Sequence, residues 1–152
     1  MFLYRLAKEK YIRDLSGTGA RMHGGRWNNT GAAALYTSAH LSLAILEFLV
    51  HTSIHALPPN LSILTLSIPD SFQPDVVPID ELPNNWRTYP APGSLAERGT
   101  DWLLSRKNPL LKVPSVIVPQ EWNIIVNPLH SNFDKVEIES VSSFDLDSRF
   151  LK

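Results

Sequence analysis

Proline and glycine are segregated along this chain. All twelve prolines lie between Pro58 and Pro128, and five of the seven glycines (Gly17, Gly19, Gly24, Gly25, Gly31) fall in one short stretch. Proline removes a backbone donor and breaks helices and central strands. The dense 69–93 stretch is therefore read as irregular loop. Val113–Val118, which carries Pro114 and precedes Pro119, fits an edge or end strand. Before the prolines, the glycines mark a loop with open backbone between two regular regions.

Periodicity supplies the regular elements. Phe2–Leu6 and Leu35–Thr37 read as short strands, and Leu61–Ile68 alternates apolar with small polar residues as a strand does. Ser38–Thr52 is the clearest helix, with Ser38 as its N-cap and apolar residues on nearly every side. Ser94–Ser105 reads as helical despite Gly99, while Ile124–Asn127 and Val136–Val141 read as strands. Strands outnumber helices without alternating with them, so the expected class is α+β in one compact domain spanning 1–152. With 152 residues, 43% of them hydrophobic and 19% charged, such a domain can build a core.

Composition excludes several functions. Fourteen basic against fifteen acidic residues leave a net charge of −1, without the basic surplus that phosphate contacts to nucleic acid require. Cysteine is absent, which removes disulfides, thiolate metal sites and cysteine nucleophiles. No run approaches the length of a membrane span. The Met1–Leu6 segment carries Arg5 and lacks the long apolar stretch and cleavage site of a signal peptide, so a cytoplasmic protein is expected. Met22 occupies the place where a dinucleotide fingerprint needs its third glycine, and phosphate-loop and nucleophile-elbow patterns are missing. His51 and His55 share a helical spacing, but no third ligand is spaced to complete a metal site with them, and no metal is expected.

Two segments suggest chemistry. Gly17–Gly31 places Arg21 and Arg26 beside glycine-rich backbone, which suits an anion such as a pyrophosphate; the alternative is a hairpin in which Arg26 stacks on Trp27. Glu47 is the only charged side chain from Leu41 to Val50. On a helix, His40, Glu47 and His51 fall in a stripe roughly 40° wide. That stripe is either the wet side of the helix or the border of a cleft.

Taken in order, the residues resemble the RES domain, the toxin half of a bacterial toxin–antitoxin pair. The matching segments are Leu3-Tyr4-Arg5-Leu6, Leu15-Ser16-Gly17-Thr18-Gly19-Ala20, Gly24-Gly25-Arg26-Trp27-Asn28 and Leu35-Tyr36-Thr37-Ser38. Then come Ala44 and Glu47, Gly99 with Trp102, Val113-Pro114-Ser115, Glu121-Trp122-Asn123, Asn127-Pro128 and His130. The resemblance covers residues 3–130. It implies a mixed α/β, ADP-ribosyltransferase-like fold whose central sheet is split around an NAD cleft, with flanking helices. It also implies an enzyme that depletes NAD as substrate, a glycohydrolase or phosphorylase, and an Xre-like helix-turn-helix antitoxin as partner.

Carried onto this chain, the resemblance makes Glu47, Arg26 and Tyr36 the catalytic set. Arg26 would hold the pyrophosphate, Arg5 would be a second anion contact, and Tyr36 would stack beside the nicotinamide or its ribose. Glu47 would stabilise the ribose as the glycosidic bond breaks, and Ser115 would hydrogen-bond the ligand. All five are expected to line one pocket. One alternative is transfer of ADP-ribose to a protein, but enzymes of that kind often carry a second glutamate just ahead of the catalytic one, where this chain has Ile45. The other is a non-enzymatic partner of a transcriptional repressor. The acceptor and the oligomeric state, a homodimer included, stay open at this level.

Overall fold

The computed structural model describes residues 1–152. Its elements are β1 (Phe2–Lys8), α1 (Glu9–Ile12), α2 (Thr18–His23), β2 (Leu35–Ser38), α3 (Leu41–Val50), β3 (Leu61–Ser67), β4 (Asp75–Val76), α4 (Gly93–Ser105), β5 (Leu110–Pro114), β6 (Trp122–Val126) and β7 (Glu137–Phe144). The seven strands form one sheet in the order β4-β5-β6-β2-β1-β3-β7. Every pairing is antiparallel except β4 with β5. A parallel pair needs a long crossover, and α4 supplies it. The class is α+β, as expected.

The sheet has a seam. β1 and β3 pair along seven residues, and β2 and β6 along four, whereas β1 and β2 share only the Tyr4↔Ser38 position. Two subsheets therefore meet at one ladder position near the end of β2, just before α3 begins.

Side chains alternate across each strand, so register decides which residues meet. One face carries a core of eleven residues that includes Leu3, Leu35, Leu64, Leu110, Ile124 and Val126. The other carries Trp27, Ala34, Leu95, Leu103, Leu111, Val113 and Ile125, with Tyr36 packed against them. This second face bears the glycine-rich segment and α4. Gly99 makes that packing feasible, because a Cβ there would stand 1.9 Å from the Trp27 carbonyl oxygen. The loss of helix propensity at Gly99, about 1 kcal/mol, is offset by this close approach.

Several expectations change. The helix begins at Leu41 rather than Ser38, because Ser38 is still in the sheet, paired with Asn123, and its hydroxyl bonds Asn123 instead of capping the helix. The strand expected at Val113–Val118 lies earlier, at Leu110–Pro114, and is flanked by β4 and β6; after Ser115 the chain turns. Residues 18–23 of the glycine-rich segment are helical. The 69–93 stretch contains the two-residue β4 and a short turn of 3-10 helix at Ile79–Glu81. No helix is long and apolar enough to cross a membrane.

Candidate active site

Glu47 lies on α3 and reaches the end of the sheet. Its Oε1 accepts two hydrogen bonds, one from the Ser115 hydroxyl at 2.8 Å and one from the Asn123 side-chain amide. Its Oε2 has no protein partner. Val113 in β5 points to the same face as Asn123 and Ile125 on β6, and Ser115, just past the end of β5, meets Glu47 on that side. The carboxylate is thus fixed through one oxygen, with the other left to a ligand.

Ser115 is fully buried. Its oxygen accepts from the backbone N–H of Ile117 and of Val118, both at 3.1 Å, and its proton goes to Glu47. A serine hydroxyl has one donor and two acceptor positions, and all three are filled. The expectation that Ser115 binds the ligand is therefore corrected: it acts on Glu47.

The Gly24–Asn28 loop carries Arg26, whose charge senses that of Glu47. Asn28, 1% exposed, donates its amide to the carbonyls of Ala20 and Ala32 at 2.8 and 3.0 Å. Its Oδ1 accepts the Tyr36 hydroxyl proton at 2.7 Å, and the Tyr36 oxygen accepts from the Trp27 N–H at 3.0 Å. Gly25 is required here, since a Cβ would stand 2.7 Å from the Tyr36 hydroxyl. Burial pushes the Tyr36 phenol well above its ordinary range, against the opposing Trp27 N–H and Arg26 charge. Tyr36 thus uses its hydroxyl to anchor the loop, and only its half-buried ring remains for a ligand.

That anchored loop presents Arg26. The guanidinium donates to the carbonyls of Trp86 at 2.8 Å and Thr88 at 3.2 Å, in the proline-rich stretch. Burial lowers its pKa, and the nearby Glu47 and Tyr36 raise it, so the Arg26 and Glu47 charges sense each other. Two of five N–H donors are used, which leaves a fork for an anion. Trp27 is itself buried in the core and makes no cation–π contact with Arg26.

Arg5 is not joined to these four residues by any hydrogen bond or ion pair. Tyr4 shares the face of Ser38, so Arg5, the next residue, points to the opposite face with Leu3 and its partner Leu64. Its guanidinium donates to the Asp14 carbonyl at 3.1 Å, and burial lowers its pKa while Asp14 opposes. The expectation that all five residues line one pocket is thus corrected at Arg5; Glu47 is hydrogen-bonded to Ser115 and senses the charge of Arg26, which lies beside Tyr36. Two cavities, of about 350 and 400 Å³, lie elsewhere and include none of the five. Histidines 51 and 55 are exposed, and no three histidine, aspartate or glutamate side chains converge on a metal position.

Sequence alone gives Asn123 and Asn28 no role, and gives Ser38 only that of a helix cap. Asn28 ends the glycine-arginine motif and Asn123 stands in a strand of large apolar residues, where asparagine is disfavoured. Both anomalies were legible; their partners were not.

Comparison with known proteins agrees with this architecture. The RES domain family model matches residues 2–147. The chain is 42% identical over 156 aligned residues to "Toxin Res" of Photorhabdus laumondii, covering 100% of this chain and 98% of that protein. It is 36% identical over 141 residues to the "Prs ADP-ribosylating toxin" of Sphingobium sp., covering 91% and 88%. Its fold is similar to a chain in the crystal structure of the M. tuberculosis MbcT–MbcA toxin–antitoxin complex, with TM-score 0.73 and 16% identity over 94% of this chain and 83% of that one. This chain belongs to the RES domain family.

Proposed function

We propose that this chain is the toxin of a toxin–antitoxin pair and that it consumes NAD by breaking the nicotinamide–ribose bond. The observation that carries this reading is the Glu47 carboxylate, tethered through Oε1 and free at Oε2, within electrostatic reach of Arg26. Nicotinamide in NAD is already a cationic leaving group. It departs with the bonding electron pair and needs no general acid. The positive charge that develops on the ribose then needs a fixed anion close by, and Glu47 is one. Its free Oε2 accepts from a ribose hydroxyl, and the unused Arg26 donors take the pyrophosphate in a fork that suits phosphate oxygens. Pre-fixing both groups converts binding energy into orientation. Arg5, on the opposite face, is assigned to bracing the Asp14 loop that leads into the glycine-rich segment.

The acceptor is water or inorganic phosphate in this reading. Purified protein incubated with NAD, with and without phosphate, should release nicotinamide and yield ADP-ribose or its phosphorylated counterpart. No loss of NAD in either condition overturns the proposal.

A second reading is ADP-ribose transfer to a protein, favoured by the name of the Sphingobium relative. Ile45 stands where a second, acceptor-aligning glutamate would be, which supports the first reading. Labelled NAD incubated with lysate separates the two: label on a discrete protein band indicates transfer. The partner is an Xre-like antitoxin that covers the Arg26 side of the site and competes with NAD.

A further inference from the structure

Glu47 Oε1 is held by two donors, and only one of them stands at the end of a saturated network. Ser115 is locked by the turn that follows β5. Asn123 is oriented differently, by a side chain on the neighbouring strand. Ser38 and Asn123 are directly opposite each other in the β2–β6 ladder, so their side chains lie on one face. The Ser38 hydroxyl donates to Asn123 Oδ1 at 2.6 Å. With its oxygen so engaged, the amide must turn its Nδ2 toward Glu47.

The residue type is costly unless it is used. Asparagine is depleted in strands, and every other residue of β6 is Trp, Ile or Val. Ser38 is likewise buried, at 3% exposure, at the single seam position that links the two subsheets. The Ser38–Asn123 pair therefore ties the orientation of one carboxylate to the seam of the sheet.

We infer that Asn123, oriented by Ser38, is a positioning residue for Glu47: its amide occupies Oε1 so that Oε2 alone faces the ribose. This rests on the NAD-cleaving reading above. An aspartate at 123 would fail in this role, because it would offer no donor and would set a second carboxylate at hydrogen-bond distance from the first.

The test is steady-state NAD cleavage by the full chain, with the thermal unfolding midpoint measured alongside. Asn123→Ala should lower kcat on the order of 10²-fold, the scale of a misplaced catalytic group. The KM for NAD should change less than kcat, because the Arg26 contacts to the pyrophosphate are untouched. Asn123→Asp should lose at least as much activity as Asn123→Ala. Ser38→Ala should show a smaller loss of kcat that vanishes in an Asn123→Ala background, since the serine acts only through the amide. Wild-type kcat in a folded Asn123→Ala protein, or Ser38 and Asn123 effects that simply add, overturns the inference while NAD cleavage by the wild type stands. A wild-type protein that leaves NAD intact overturns the proposed function itself, and the positioning role falls with it.

Discussion

The backbone of Trp27 passes so close to Gly99 on α4 that no side chain fits between them: a Cβ on Gly99 would stand 1.9 Å from the Trp27 carbonyl oxygen. The loop that presents Arg26 is thus seated on a helix from the far half of the chain. A second tie reinforces the seat, from the Asn29 N–H to the Thr100 hydroxyl at 2.8 Å.

Gly99→Ala should therefore destabilise the fold by about 1–3 kcal/mol, the usual cost of overpacking. It should also weaken NAD binding by displacing the Arg26 loop. Chemical unfolding and NAD titration check both effects. Unchanged stability would mean that the helix and loop separate freely.

Glu47→Gln keeps the shape of the side chain and removes its charge. NAD cleavage should fall by about 10² to 10³, the scale of losing one fixed electrostatic partner of a transition state. The unfolding midpoint should change little. Turnover at the wild-type rate would show that charge on Glu47 is not the stabilising element.

Ser115→Ala removes three hydrogen bonds at once. It leaves two backbone N–H groups in the turn after β5 without an acceptor and frees Glu47 on one side. A stability loss of about 1–3 kcal/mol is expected from the orphaned donors, accompanied by a fall in kcat. An active, fully stable variant would contradict the positioning role.

Arg26→Lys retains the charge and loses the planar fork. A lysine has no geometry that both satisfies the Trp86 and Thr88 carbonyls and grips a phosphate bidentately. The KM for NAD should rise more than kcat falls. Full activity would rule out the forked contact.

The Tyr36 phenol gives a pH signature. Its folded pKa is raised by burial above the unfolded value, ordinarily about 10. Above that unfolded value the unfolded chain releases a proton that the folded chain retains, so stability is complete below about pH 10 and declines as pH rises beyond it. Ultraviolet titration should show one of the four tyrosines resisting ionisation until unfolding. Tyr36→Phe should flatten the alkaline slope, at a cost at neutral pH from the Asn28 oxygen left without its donor.

Local pattern was enough for much of this protein. The alternation in Leu61–Ser67, the apolar run around Glu47 and the glycine cluster before Arg26 each reflect neighbours close in the chain, and each marked its element. The resemblance carried by Gly24–Asn28, Tyr36 and Glu47 nominates the site residues in the same way. What sequence could not reveal depends on register between strands far apart in the chain. Ser38 looks like a helix cap until β2 pairs with β6 and sets it opposite Asn123; Ser115 looks like a ligand contact until the turn after β5 claims its oxygen. Arg5 looks like a partner of Arg26 until strand alternation turns it to the other face. A side chain's role follows from which atoms fill its hydrogen-bonding capacity, and those atoms are supplied by tertiary pairing, which local spacing does not encode.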